Sequence, residues 1–217
     1  MDEWHDILPC LLNKRLVWYS QCSQLFHTIS SRYIQQAQWK KKGFALLAKN
    51  GNLPGVKYLV ERCGADVHAE DDAALRWASF YGHVDVVKYL VLEKGANVHA
   101  FYGDPLRQAS ESGHLEVVKY LVEKGGANVH AYEEEALHLA SCNGHLDVAR
   151  YLVQNGANVH ALNDDALRCA IQCGHLEVVR YLVECGANAH AVDERAPQFA
   201  SRQFSICSFV RFNRKES

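Results

Sequence analysis

Residues 104–131 read DPLRQASESGHLEVVKYLVEKGGANVHA, and this stretch decides the fold because its pattern returns along the chain. The segment Gly-His-x-x-Val begins at Gly82, Gly113, Gly144 and Gly174. A variant with Asn52 in place of histidine begins at Gly51. The spacings between these glycines are 31, 31, 31 and 30 residues, and one tyrosine per unit keeps the same spacings. Five units in register define an array of structural repeats.

The residue pattern of each unit predicts two helices joined by a tight turn. In the second unit, Leu75, Ala78 and Ser79 share one helical face, and the small residues allow a neighbouring helix to approach closely. Gly82 supplies the left-handed residue that ends this helix, and a second apolar stripe starts at Val84. One such helix pair cannot bury its apolar face alone, so the units are expected to stack on one another.

The repeats divide the chain into an array with two flanking segments. The predicted boundaries are 1–42 for an N-terminal helical cap, 43–195 for the array, and 196–217 for a degenerate sixth repeat or C-terminal cap. The five predicted units are 43–73, 74–104, 105–135, 136–165 and 166–195.

The formal net charge of −2 averages unlike parts of the chain. Residues 50–196 carry 12 basic and 21 acidic side chains, whereas residues 1–49 carry 7 basic and 3 acidic ones. Residues 197–217 are also basic, with 4 basic side chains and 1 acidic one. Because nucleic-acid binding needs a strongly basic face, no nucleic acid is expected on the array. The basic flanks suit a membrane surface, an acidic partner or the array itself.

The composition predicts a globular protein of the cytoplasm. Hydrophobic residues make up 48% and charged residues 22% of the chain. Met1 is followed by two acidic residues, which does not fit a secretory signal, and no apolar run approaches the ~20 residues of a membrane span. The eight cysteines are scattered without a Cys-x-x-Cys pair, so we expect reduced thiols.

The repeat resembles the ankyrin repeat family. The family pattern Thr-Pro-Leu-His-x-Ala-Ala-x-x-Gly-His appears here as DPLRQASESGH in residues 104–114 and as EALHLASCNGH in residues 135–145. The family pattern Gly-Ala-Asp-x-Asn-Ala appears as GANVHA from Gly95 and from Gly156. The resemblance implies an all-α solenoid of stacked helix-turn-helix units with short loops, acting as a non-enzymatic protein-interaction module.

Three departures from the family pattern are visible. The Thr-Pro pair is mostly Glu-Ala or Asp-Ala, and histidine stands where the family has the asparagine before the final alanine. The units span 30 or 31 residues, against about 33 in the family, so the protruding finger should be shortened. This short form most resembles ankyrin arrays encoded by giant viruses of amoebae, which would place the protein in the host cytosol.

Histidine fills two recurring positions of the repeat. His83, His114, His145 and His175 follow the helix-ending glycine, and His68, His99, His130, His160 and His190 lie in the loop. Stacked helices lie about 8–10 Å apart, whereas zinc binds nitrogen at about 2.0–2.1 Å. A ladder with one histidine per unit therefore cannot converge on one ion, and it predicts hydrogen bonds to loop backbone between units.

No metal site, cofactor or catalytic centre is predicted. Cys169 and Cys173 lie four residues apart with His175 just beyond, but a fourth zinc ligand is not evident. The chain has no Gly-rich phosphate loop and no nucleophile elbow.

The positions that differ between units are the candidates for partner recognition, since recurring positions hold the stack. They are the loop tips and the exposed turn of the first helix, which in ankyrin proteins line the concave face. The predicted partner-binding residues are Glu70, Trp77, Phe80, Tyr81, Phe101, Tyr102, Glu111, Tyr132, Glu133, Leu162 and Asn163.

Two features of this surface have alternative interpretations. Aromatic side chains are common energetic anchors of interfaces, but Trp77 and Phe80 could instead pack against the neighbouring unit. The acidic tips either favour a basic partner or form a solvated edge. The protein is expected to be monomeric.

The N-terminal segment also has two interpretations. Its apolar spacing suits a cap over the first repeat. It is also similar to parts of the F-box, the module that docks substrate receptors on ubiquitin-ligase scaffolds, through Leu8-Pro9 and the stretch LVWYSQCSQLFHTISSRYI. Cys22, Phe26 and Ile29 match positions in the second half of that module. About a dozen of its central residues are missing, so a cap is favoured over a ubiquitin-ligase adaptor.

Overall fold

The computed structural model describes residues 37–100 and 104–188, and within these ranges the chain forms ten α-helices and no strand. The first helices of the five units are α1 (Ala37–Lys49), α3 (Ala69–Phe80), α5 (Asp104–Glu111), α7 (Glu135–Cys142) and α9 (Ala161–Cys173). The second helices are α2 (Leu53–Glu61), α4 (Val84–Lys88), α6 (Leu115–Glu123), α8 (Leu146–Gln154) and α10 (Leu176–Glu184). The all-α prediction is confirmed for these ranges.

The helices form two layers. Each first helix packs against the first helix of the next unit, and each second helix packs against the second helix of the next unit. Helix α1 begins at Ala37, six residues before the predicted start of the array. The predicted N-terminal cap and the C-terminal segment otherwise lie outside the described residues.

One continuous apolar core runs between the two layers. One leucine in the first helix of each of units two to five is fully buried: Leu75, Leu106, Leu137 and Leu167. The alanine three residues later is also fully buried: Ala78, Ala109, Ala140 and Ala170. Burial of one leucine side chain contributes about 1.5–3 kcal/mol, and the alanines let neighbouring first helices approach closely. In unit one Phe44 and Leu47 are buried at the equivalent positions, so the core continues through all five units.

The second helix of unit two contains an extra residue. Its sequence VDVVKYLVLEKGANVHA, residues 84–100, is one residue longer than the matching stretch of unit four, residues 146–161. Helix α4 accommodates the insertion by continuing as a π-helical turn over Tyr89–Glu93. Leu92 lies in this turn and is 67% exposed, so the core register of the unit is preserved.

The Gly-His pair links each unit to its neighbour. The Nε2 atom of His83 lies 2.8 Å from the Lys49 carbonyl oxygen, and that of His145 lies 2.9 Å from the Glu111 carbonyl. His175 makes the same bond to the carbonyl of Cys142 at 2.9 Å. A carbonyl oxygen only accepts, so Nε2–H donates in each case. These bonds confirm the predicted contacts between units for the histidines that follow the helix-ending glycine, although the acceptors are carbonyls at helix ends rather than in loops. The prediction is wrong for the loop histidines His68, His130 and His160, whose rings pair with an acid four residues later.

The remaining ladder histidine makes the same contact. His114 bonds to the backbone of Phe80, and burial lowers the pKa of its imidazole despite that bond. The glycine of the preceding unit provides the space: a Cβ at Gly82 or Gly113 would overlap the imidazole of His114 or His145. Both glycines also have positive φ, 74° and 76°, so each position needs glycine for two reasons.

Candidate partner-binding surface

The loop tips adopt an unusual backbone conformation. Three consecutive residues have left-handed φ values between 50° and 63° in each of the tips 70–72, 132–134 and 162–164. Tips 70–72 and 162–164 fall within the first turns of α3 and α9, and these helices are kinked there. None of these residues is glycine, and a left-handed L-residue costs about 1–2 kcal/mol. The surrounding structure must therefore hold each tip, and nothing in the local sequence indicated the conformation.

The third residue of the tip is an acid that turns inward. Asp72 and Asp164 are buried, and each accepts a hydrogen bond at 3.0 Å from a backbone N–H in the loop that follows the second helix, at Asn97 and Asn188. Each also pairs with the loop histidine four residues earlier, at 3.1 and 3.0 Å. Glu134 lies 2.7 Å from the ring of His130 in the same way. The loop histidines thus brace the tips.

An arginine of the same unit ties down the tip backbone. The Arg76 guanidinium donates to the Glu70 carbonyl at 3.0 Å. Arg168 donates to the carbonyls of Leu162 and Asn163 at 3.3 and 3.2 Å. These bonds offset part of the left-handed strain and leave the side chains of the first two tip residues outside.

The first two residues of each described tip are exposed. They are Glu70, Asp71, Tyr132, Glu133, Leu162 and Asn163. The corresponding Phe101 and Tyr102 of unit three lie outside the described residues. Of the predicted acidic ridge, only Glu70, Asp71 and Glu133 are exposed on the described tips, because the third acids bind within the protein.

Three rings at the end of α3 form one aromatic cluster with Lys49 of α1. The centroid of Trp77 lies 6.3 Å from that of Phe80 and 6.2 Å from that of Tyr81, and the Phe80 and Tyr81 centroids are 5.0 Å apart. Trp77 is 41% and Tyr81 39% exposed, whereas Phe80 is half-buried. Lys49 Nζ lies 5.5 Å from the Trp77 centroid and 5.2 Å from the Tyr81 centroid, within cation–π range.

Tyr132 forms a second exposed aromatic position, on the tip of unit four. It is 45% exposed, and its ring centroid lies 5.1 Å from the guanidinium carbon of Arg107. Glu111, the remaining predicted residue, is half-buried at the end of α5, and its carbonyl accepts the His145 bond.

A row of charged pairs between first helices was not predicted from the sequence. Arg76 pairs with Asp104 of the next unit at 3.4 Å, and Arg107 pairs with Glu135 at 2.9 Å. In unit four the same position is His138, whose Nδ1 lies 2.7 Å from Oδ2 of Asp165. The recurring position reads Arg, Arg, His, Arg along units two to five, which was the available signal.

The cysteines of units four and five overturn one prediction. Cys142 and Cys169 form a disulfide with Cα atoms 5.1 Å apart, so the expectation of reduced thiols is wrong for this pair. The two residues are 27 positions apart in sequence and meet because α7 and α9 are stacked neighbours. Cys173 is an exposed thiol, and His175 bonds the Cys142 carbonyl, so the trio Cys169, Cys173 and His175 does not assemble.

Three of the recurring tyrosines, Tyr89, Tyr151 and Tyr181, pack in the second-helix layer and donate hydroxyl hydrogen bonds to the preceding unit. The Tyr151 hydroxyl donates to Glu123 at 3.1 Å, and burial, followed by this carboxylate, raises its pKa to about 12. Burial also raises the pKa of Tyr181 to about 12, against the lowering effect of Arg150. The neutral phenols are therefore the form that the folded array favours.

Alkaline pH should consequently destabilise the array. The folded pKa of Tyr151 and Tyr181 lies above the ordinary 10.0, so their contribution to stability is complete below pH 10 and is lost as the pH rises toward 12. Tyrosinate absorbance followed beside far-ultraviolet circular dichroism measures this. Glu123→Gln should bring the Tyr151 titration closer to 10. Titration of every tyrosine near pH 10 with the helices intact would contradict the interpretation.

The fold and this surface define an α-helical repeat solenoid with exposed, unit-specific side chains on its tips and first helices. A family model described as "Ankyrin repeats (3 copies)" matches residues 19–102, 44–133 and 106–193. The chain belongs to the ankyrin repeat family. Proteins of this family are generally protein–protein interaction modules and typically not enzymes. No curated protein matches the chain. In the part of the chain that the structure describes, no helix is long and apolar enough to cross a membrane.

Proposed function

We propose that the array binds a protein partner on the face formed by the loop tips and first helices, without catalysing a reaction. The supporting observation is the exposure of Trp77, Tyr81 and Tyr132, since each of these aromatic residues is between 39% and 45% exposed. Aromatic side chains of this kind are enriched among the residues that dominate binding energy. They lie at positions that vary between units, so the stack itself does not require them.

The partner we propose carries a basic segment. Lys49 already places an ammonium group over the rings of Trp77 and Tyr81, so these faces accept a cation. The exposed Glu70, Asp71 and Glu133 add negative charge on the tips. A lysine or arginine of the partner could contact the same rings while its neighbours pair with these carboxylates.

A triple alanine variant tests the proposal. Trp77→Ala, Tyr81→Ala and Tyr132→Ala together should weaken capture of the partner from native cells by at least ~100-fold in Kd, since such anchors typically contribute about 2 kcal/mol or more each. Quantitative mass spectrometry of the captured proteins identifies the partner, and titration with that protein gives the Kd.

The matched control changes three exposed side chains of the second-helix layer. Lys88→Ala, Leu92→Ala and Glu116→Ala should leave capture unchanged, with the same helical content in both variants. Equal capture by the aromatic variant and the wild type would reject this face, and loss in the control alone would place binding on the opposite layer.

The alternative function is a ubiquitin-ligase substrate adaptor with residues 1–42 as a reduced F-box. Its support is the sequence similarity from Leu8-Pro9 onward. The first ankyrin match begins at residue 19, inside this segment, which supports a repeat-like cap instead. Co-purification of the scaffold's adaptor protein with the full chain, lost on deletion of residues 1–36, would favour the F-box, and its absence would reject it.

The unit lengths of 30 and 31 residues support a proposed origin among the short-repeat ankyrin arrays of giant viruses. The protein we propose is a monomer that acts in the host cytosol. Light scattering after size-exclusion chromatography tests the oligomeric state, and fractionation of infected amoebae tests the compartment. A dimer, or a membrane-bound fraction, would contradict the corresponding part.

A further inference from the structure

One imidazole and two cysteine sulfurs, the kinds of group that bind metal ions, lie close together on the first-helix layer. His138 and Cys142 lie one turn apart on α7, and Cys169 faces them from α9. Their ligand atoms all lie within 4.8 Å of one another. Imidazole and thiolate are the ligands that zinc prefers in proteins.

The separations suit a tetrahedral ion once the disulfide is opened. With zinc–nitrogen bonds of about 2.0–2.1 Å and zinc–sulfur bonds of about 2.3 Å, a nitrogen and a sulfur on one ion are about 3.5 Å apart. The His138 Nε2 and Cys142 Sγ atoms are 3.4 Å apart. Two sulfurs on one ion need about 3.8 Å, so the bonded sulfurs of Cys142 and Cys169 must separate after reduction.

The carboxylate of Asp165 lies next to the second ring nitrogen of His138, the one that would not bind the metal. The buried Nδ1 atom of His138 lies 2.7 Å from Oδ2 of Asp165, although the two groups are not aligned for a hydrogen bond. Asp165 is itself paired with Arg168. Zinc-bound histidines usually have such a carboxylate on their second nitrogen, which orients the ring and leaves the other nitrogen for the metal.

The cluster is specific to one pair of units among those described. Units two and three have arginine at the position of His138, and arginine cannot bind a metal because it stays protonated. Cys142 and Cys169 occupy the positions that Phe80 and Trp77 hold in unit two. A stacking role shared by all repeats therefore does not explain the three residues.

We propose that His138, Cys142 and Cys169 bind one Zn²⁺ when the disulfide is reduced, with water as the fourth ligand. A dithiol reductant opens the Cys142–Cys169 bond and becomes a disulfide itself, and zinc binding then releases two thiol protons. Glutathione disulfide reverses the change: it yields two glutathione thiols, takes up two protons, restores the protein disulfide and releases the ion. The site therefore alternates between a disulfide and a zinc centre.

Metal titration of the reduced full-length chain tests the proposal. We expect one Zn²⁺ per chain in competition with a chromophoric chelator. With Co²⁺ we expect the ligand-field bands of a tetrahedral ion and a thiolate-to-cobalt charge-transfer band. His138→Gln, Cys142→Ser and Cys169→Ser should each weaken binding by at least ~100-fold. Asp165→Asn should weaken it about 10–100-fold, as for other carboxylates behind zinc histidines.

Cys173→Ser is the matched control, since Cys173 is an exposed thiol on the same helix as Cys169. It should bind Co²⁺ with the wild-type spectrum, and the oxidised wild type should bind none at this site. Circular dichroism of each variant establishes that the array remains helical. The proposal is overturned if the reduced wild type gives no tetrahedral spectrum, if His138→Gln binds as tightly as wild type, or if Cys173→Ser loses the ion.

Discussion

Gly113→Ala should lower the free energy of unfolding by about 2–5 kcal/mol, a large loss for a residue that buries no side chain. Gly113 has φ of 76°, and a left-handed alanine costs about 1–2 kcal/mol. The added Cβ would also overlap the His145 imidazole, and overpacking of this kind costs about 1–3 kcal/mol. Moving the ring would weaken its bond to the Glu111 carbonyl. Urea unfolding followed by circular dichroism gives the value.

The variant Gly95→Ala separates the backbone cost of a left-handed alanine from the cost of overlap with an imidazole. Gly95 has a similar φ of 67°, but no atom lies within 4 Å of a Cβ built there, so only the backbone cost of about 1–2 kcal/mol applies. In the double variant Gly113→Ala, His145→Ala the overlap is gone, and its loss should be smaller than the sum of the two single losses. Equal losses for Gly95→Ala and Gly113→Ala would show that the imidazole does not require the glycine.

Reduction of the Cys142–Cys169 disulfide should lower the free energy of unfolding by about 3.5 kcal/mol in the presence of a chelator. The bond closes a loop between cysteines 27 residues apart, and a loop of that size restricts the unfolded chain by about this amount in the chain-entropy account. Urea unfolding with and without a phosphine reductant measures the difference. The chelator keeps zinc from stabilising the reduced state.

Two variants define the origin of that difference. The double variant Cys142→Ser, Cys169→Ser should unfold as easily as the reduced wild type and should not respond to the reductant. Cys173→Ser should keep the full response. If the wild type unfolds identically with and without reductant, the bond contributes nothing to stability.

Much of the fold could be predicted because its determinants are local. The leucine–alanine face of α7, with Leu137 and Ala140, is visible in a window of a few residues, and so is the glycine that ends the helix. The same leucine–alanine face and helix-ending glycine recur in several units, which strengthens the prediction. The bonds of His83, His145 and His175 between units were also predictable, since a half-buried polar ring needs a hydrogen-bond partner. The same reasoning failed for the loop histidines, which pair with an acid four residues later.

The exposed side chains of the proposed partner-binding face were predictable only in part. Variation between units led to Trp77, Tyr81, Tyr132 and the exposed tip pairs. It did not show that Asp72 and Asp164 are buried, because aspartate gives the same local pattern whether it faces solvent or the interior of the array. The acidic ridge is therefore smaller than the sequence suggested.

The sequence by itself determined that this chain is an array of stacked helix pairs, since 3.6-residue periodicity and left-handed glycines act within one unit. Only the tertiary structure decided the left-handed tips, the Arg76–Asp104 and His138–Asp165 pairs, and the meeting of Cys142 with Cys169. Each of these depends on how far one unit is rotated and shifted against the next. That offset is set by the packing of whole helices, and no short stretch of sequence contains it.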